Sequence, residues 1–136
     1  MIVGIGLDLV AVARFRQGME RTGERILVRL FTPAERRLCR GDPLRLAGRF
    51  AAKEALLKAL GTGLRGFSWQ ELEILASEDG APVLHAHGRV ATALAARGVE
   101  RVHLSISHTK EYAVAQAVLE GGEAGVCCDR SGDGRA

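Results

Sequence analysis

Arg49-Phe50-Ala51-Ala52-Lys53-Glu54-Ala55-Leu56-Leu57-Lys58-Ala59-Leu60-Gly61 is the run on which the reading of this chain turns. Its residues favour helix, and Asp42-Pro43 ahead of it supplies an N-cap with proline at the first helical position. Gly61 suits the left-handed stop, with Gly63 and Gly66 opening a turn. At about 100° per residue, Leu46, Phe50, Leu57 and Leu60 share one stripe; Lys53 falls inside it, and Glu54 lies about 80° round from Leu46 with Lys58 just beyond. Charges bordering an apolar face need partners, because an unpaired ion is costly to desolvate. Two readings are open. Glu54 and Lys58 form an ordinary i,i+4 pair while Lys53 lays its stem over apolar neighbours and reaches water. Alternatively, an anionic ligand with a divalent cation supplies partners for both signs.

Working outward, Ile2 to Leu9 reads as a buried strand broken by two glycines and reaching Asp8 at its end. Val12, Phe15 and Met19 recur at helical spacing over Ala11 to Glu20, and Glu24 to Leu30 continues as a second helical piece. Thr32-Pro33-Ala34-Glu35 is a capping box with proline at the first position. Beyond the long helix the period changes. Glu71 to Leu75 and Pro82 to Ala86 alternate as a hairpin across Ser77-Glu78-Asp79-Gly80, and a short helix spans about Gly88 to Arg97. Val102 to Ser107 and Tyr112 to Leu119 then form a second hairpin, placed in the middle of the sheet. The order β-ααα-ββ-α-ββ predicts an α+β fold, a mostly antiparallel sheet with helices packed on one side. One domain over residues 1–120 and a disordered, glycine-rich tail over 121–136 are expected.

Composition narrows the function classes. The chain has 136 residues, a net charge of +3, and only one Trp, one Tyr and four Phe. A mild basic excess favours acidic partners without singling out nucleic acid, and an aromatic-lined nucleic-acid surface is not expected. No run of 18 apolar residues suggests a membrane span, and Ile2-Val3-Gly4-Ile5-Gly6 has no basic leader before it, so no signal peptide is expected. Three cysteines, Cys39 and the adjacent Cys127 and Cys128, offer neither a disulfide framework nor C-x-x-C spacing, so a reducing cytoplasm is expected.

Asp8 reads as either an N-cap for the helix after it or a metal ligand. Gly4-x-Gly6 resembles a phosphate loop, but Leu9 breaks G-x-G-x-x-G and a dinucleotide fold is disfavoured. His85 and His87, with His103, are discounted as a zinc site because no Cys lies at suitable spacing. Ser107-His108 lacks a G-x-S-x-G elbow, which weakens a hydrolase triad. Arg14, Arg21, Arg25 and Arg29 form a basic face, either solvated surface or a dock for an acidic helical partner.

Taken together, Met1 to Asp8, Arg14, Phe31 to Glu35, Gly48 to Ala55, Lys58 to Gly63 and Val102 to Tyr112 resemble the bacterial holo-acyl-carrier-protein synthases, small 4′-phosphopantetheinyl transferases. The resemblance covers about residues 1 to 119. It implies transfer of the phosphopantetheine arm of coenzyme A to a serine of apo acyl carrier protein, in support of fatty acid biosynthesis, with adenosine 3′,5′-bisphosphate released. It further implies Mg²⁺ held by Asp8 and Glu54, and catalytic roles for Asp8, Glu54, Lys58 and His108. Arg49, Lys58 and His108 would take coenzyme A phosphates, with Gly61, Thr62 and Gly63 near the nucleotide. Arg14, with Arg21 and Arg25, would lead the carrier-protein surface of a homotrimer whose sites lie between subunits. The serine's proton acceptor stays open between a water on the metal and a metal-linked carboxylate. Two rivals stand beside this reading: a binding module without chemistry and a Mg²⁺-dependent diphosphate hydrolase.

Overall fold

The computed structural model describes residues 1–122. The chain runs β1 (Ile2–Ala11), α1 (Val12–Thr22), α2 (Glu24–Leu30), α3 (Pro33–Cys39) and α4 (Pro43–Leu60). A single 3₁₀ turn (Trp69–Glu71) then leads to β2 (Leu72–Ala76), β3 (Pro82–Ala86), α5 (Gly88–Ala96), β4 (Val99–His108) and β5 (Tyr112–Gly121). The α+β order is as expected, but the strands form two antiparallel sheets, β1-β5-β4 and β2-β3. The second hairpin is therefore not wholly central: β5 lies between β1 and β4, and β4 is an edge. β5 also continues through Gly121, the first residue of the expected tail. The expected disorder of the remaining tail, and Cys127 and Cys128 with it, lie outside the described residues.

Both devices predicted for the helix starts are present. Thr32 Oγ1 accepts from Glu35 N while Glu35 Oε1 accepts from Thr32 N, closing the capping box of α3. Asp42 Oδ1 accepts from Leu44 N at the head of α4, and Gly61 ends that helix in the left-handed region at φ 78°.

α4 forms the spine of the core. Ala51, Ala52, Ala55, Leu56, Leu57, Ala59 and Leu60 are buried against Ala115, Ala117 and Leu119 of β5 and against Leu72 and Ile74 of β2. Full burial of a Leu or Ile side chain contributes about 1.5–3 kcal/mol, and the alanines let helix and sheet approach closely. The closest approach is to β1. A methyl group added at Gly6 would overlap the Ala55 carbonyl, and one at Gly4 would overlap that of Ala59. The Gly4-x-Gly6 pair is thus a packing device in the middle of the strand and cradles no phosphate. Arg97 reinforces the junction, donating from Nη1 to Leu60 O at 2.7 Å and from Nη2 to Val3 O at 2.9 Å.

Within the described residues, helices cover one face of the three-stranded sheet. On the other face, Ile5, Leu7 and Leu9 of β1 remain 58–61% exposed. Among the described residues, no helix is long and apolar enough to cross a membrane.

Candidate active site

Because β1 alternates, Gly4, Gly6 and Asp8 share the face that meets α4, while Ile5, Leu7 and Leu9 point away. Asp8 therefore stands in mid-strand, paired in register with Ala115, and not at the strand end. It caps no helix: α1 starts after Ala11 without a side-chain cap, and Val12 N donates to Glu111 O at 2.9 Å. Of the two roles open to Asp8, the cap is excluded.

The Gly6–Ala55 approach brings the next turn of α4 alongside Asp8. Lys58 Nζ donates to Asp8 Oδ1 at 3.0 Å and to Leu7 O at 3.1 Å. Glu54, one turn earlier, is half-buried, and its carboxyl is lifted above the usual carboxylate range. Burial is the larger cause and the Asp8 charge the second, with Lys58 pulling the other way. Two acids that repel each other in a partly dehydrated cleft, with one ammonium between strand and helix, form a group suited to a cation and a phosphate. Among the described residues no cluster of three or more His, Cys, Asp or Glu side chains could hold a metal. A cation here would have two protein carboxylates and would take its other oxygens from substrate and water, the usual manner of Mg²⁺.

Asp8 and Glu54 open onto a cleft of about 500 Å³ whose walls include Arg14, Phe15, Phe50 and Tyr112. Arg14 comes from the first turns of α1 and Tyr112 from the head of β5, opposite Ala11. Arg21, Arg25 and Arg29 line a separate groove of about 350 Å³ between α1 and α2.

The fold therefore brings Asp8, Glu54, Lys58 and Arg14 to one end of α4 and sets His108 and Arg49 apart from them. His108 ends the edge strand β4, paired with Ala113, which in turn pairs with Val10. That puts it two strands, about 10 Å, from the β1 backbone, exposed to solvent. Arg49 lies about 140° round α4 from Glu54, and its Nε is buried without a partner among the described residues. Gly61, Thr62 and Gly63 form the exposed turn after α4, just beyond Lys58.

Lys53 departs from both of its expected roles. It neither reaches water nor waits for a ligand. Its side chain is fully buried and donates to Glu35 Oε1 at 2.8 Å and to Trp69 O at 2.9 Å. Glu35 is legible in the sequence as a capping residue, but nothing in its local sequence marks it as the partner of a lysine 18 positions on. The histidines are likewise placed separately: His87 Nε2 lies 2.9 Å from Glu73 Oε1 and His103 Nε2 lies 2.8 Å from Glu120 Oε1. Tyr112, Phe15 and Phe50 are cleft walls that sequence reasoning misses, since their spacing reads as core.

Known proteins resemble the chain throughout this region. The family described as the 4′-phosphopantetheinyl transferase superfamily matches residues 4–117. A holo-[acyl-carrier-protein] synthase of Desulforudis audaxviator is 52% identical over 124 residues, covering 89% of this chain and 95% of that protein. One from Clavibacter michiganensis is 54% identical over 122 residues, covering 89% and 98%. The crystal structure of the Helicobacter pylori holo-[acyl-carrier-protein] synthase in complex with coenzyme A superposes with a TM-score of 0.78 at 31% identity, covering 85% of this chain and 99% of that one. The Neisseria meningitidis enzyme gives 0.82 at 36% identity, covering 88% and 99%. This chain belongs to the 4′-phosphopantetheinyl transferase superfamily, among its holo-[acyl-carrier-protein] synthases.

Proposed function

We propose that the cleft between β1 and α4 is where this chain moves the 4′-phosphopantetheine arm of coenzyme A to a serine of an apo acyl carrier protein, a step that serves fatty acid biosynthesis. The observation that carries this is the convergence of Asp8 and Glu54, 46 positions apart in sequence, on one open cleft, with Lys58 bonded to Asp8 beside it. In the reaction the serine hydroxyl gives up its proton, released in the end to solvent, and its oxygen bonds to the phosphorus that carries the pantetheine. The bond from that phosphorus to the bridging oxygen breaks, and adenosine 3′,5′-bisphosphate leaves. Charge spreads over phosphoryl oxygens as this happens, so the protein's task is positioning and electrostatic stabilisation. Lys58 presents an ammonium to those oxygens. Asp8 and Glu54 are the residues that would hold Mg²⁺, which when bound neutralises diphosphate charge. Burial and, second to it, the Asp8 charge lift the Glu54 carboxyl, and the second supports this assignment, because a cation between the two acids would relieve it.

Arg14, on the cleft wall, and the Arg21–Arg25 groove beside it are assigned to the acidic carrier protein, whose approach they would steer. A homotrimer is supported by the stripe of Ile5, Leu7 and Leu9, large apolar side chains on a sheet face that none of the described residues covers. In such an assembly Arg49 and His108, remote from Glu54 within one chain, would serve a neighbour's coenzyme A phosphates together with the Gly61-Thr62-Gly63 turn. Cys39 is a buried free thiol, in keeping with the reducing cytoplasm assigned to it.

Incubation with coenzyme A, Mg²⁺ and apo carrier protein, followed by mass spectrometry of the carrier, tests the reading. The expected product is the carrier plus one phosphopantetheine arm. Loss of coenzyme A without that gain would mean hydrolysis, and no change would mean binding only. Asp8→Ala and Glu54→Ala should each abolish transfer with circular dichroism unchanged; normal turnover in either would refute the assignment.

A further inference from the structure

Three consecutive residues of α4 meet three different surroundings. Ala55 is pressed against Gly6 of β1, Glu54 faces the cleft, and Lys53 is tied on the far flank to α3 and the 3₁₀ turn. Lys53 and Glu35 are both 0% exposed. Glu35 accepts from Lys53 Nζ, from Thr32 N at 2.9 Å and from Ile74 N at 2.6 Å, so one carboxylate joins α3, α4 and β2. The Lys53 ammonium also sits 5.3 Å from the centre of the Phe31 ring. Phe31 begins an aromatic chain: its ring is 6.3 Å from that of Phe15, Phe15 is 5.8 Å from Phe50, and Phe50 is 5.2 Å from Trp69. Phe15 and Phe50 are cleft walls.

Sealing two charges in a core is a poor route to stability, since apolar residues of equal volume often do as well or better. An ion pair does impose direction, which apolar contacts impose only weakly. The apolar contacts that bury Ala51, Ala52, Ala55 and Leu56 fix the distance of α4 from its neighbours more firmly than its rotation about its own axis. A rotation of about 10° would carry a carboxylate roughly 6 Å from the helix axis through about 1 Å, enough to cost up to 10²-fold in rate.

We infer that the buried Glu35–Lys53 pair is a positioning device for the transfer reaction: it sets the rotation of α4, and so the place of Glu54 and of the Phe15–Phe50 wall. Neither residue touches substrate, and both act through their neighbours. The inference rests on the proposed role of the cleft, and its test separates the two. Lys53→Met, Glu35→Gln and the double variant are compared with wild type and with Glu54→Gln, below their melting temperatures. Measured are kcat, KM for apo carrier protein and for coenzyme A, and Mn²⁺ affinity by electron paramagnetic resonance without substrate. The expected result is a 10- to 100-fold loss in kcat, KM for the carrier within twofold of wild type, and Mn²⁺ binding weakened at least fivefold. Where either single variant does not fold, the double variant decides, since it alone leaves no unpaired charge in the core. Wild-type kcat and Mn²⁺ affinity in any folded variant would overturn the inference, as would failure of all three to fold, which would make the pair a requirement of the fold as a whole. If Glu54→Gln itself binds Mn²⁺ as wild type does, the cation role of the cleft falls instead, and the positioning role is judged on the kcat and KM split alone.

Discussion

Lys58 Nζ lies 3.0 Å from Asp8 Oδ1, joining the middle of β1 to the last turns of α4 through an ammonium on the cleft side of that helix. The bond is partly open to water, so its value to stability is small. Its significance is where it holds the charge. Replacing Lys58 with Gln should lower kcat by about 10²-fold, the scale of losing one electrostatic donor at a developing oxyanion. It should also push the Glu54 carboxyl higher still, since Lys58 is the neighbour that lowers it. The acid limb of the pH–rate profile should therefore move upward; an unmoved limb would disconnect Lys58 from Glu54.

Glu54 carries a stability signature of the opposite sign to an ordinary ion-paired acid. Its folded carboxyl is raised, so the folded state holds its proton more tightly than the unfolded chain. The penalty is absent at low pH, where both states are protonated, and appears as pH rises past the unfolded value of about 4.3. Glu54→Gln should melt above wild type at neutral pH, with the difference closing near pH 4. Thermal melts across pH 4–8 check this, and a constant difference would contradict it.

Gly6→Ala puts a methyl group into the Ala55 carbonyl. The strand and helix must separate, at a cost of about 3 kcal/mol. Because the same contact brings Asp8 to Lys58, activity should fall further than the folded fraction does. Equal loss of both, by activity normalised to circular dichroism, would show that the contact serves stability alone.

Charge reversal at Arg14 should raise KM for apo carrier protein more than KM for coenzyme A, and more at low than at high salt. Steady-state kinetics with each substrate varied separately measures it. An equal rise in both would place Arg14 in general electrostatics and not in docking.

Leu7→Glu sets a charge in the exposed stripe that includes Ile5 and Leu9, on the sheet face turned away from α4. Light scattering should show the proposed homotrimer shift to monomer, with activity lost in proportion. A fully active monomer would mean that the cleft is complete within one chain.

Much of this is legible in the linear chain because it depends on local rules. The capping box at Thr32–Glu35, the Asp42-Pro43 start and Gly61 stop of α4, and the β2–β3 hairpin across Ser77 to Gly80 all follow from residue type and local spacing. Other features depend on how distant segments meet, and linear spacing misreads or misses them. Lys53 reads as a surface or ligand-binding cation until the fold sets Glu35 beside it. Asp8 reads as a cap only as long as the strand is taken to end there.

Residue order along the chain settles that α4 is a helix with Glu54 and Lys58 one turn apart, since helical period is a property of neighbours. Which carboxylate those two face is decided by packing alone. The missing side chain at Gly6 lets the α4 backbone come close enough to β1 for Lys58 to reach Asp8, and that proximity exists only once the two segments are stacked.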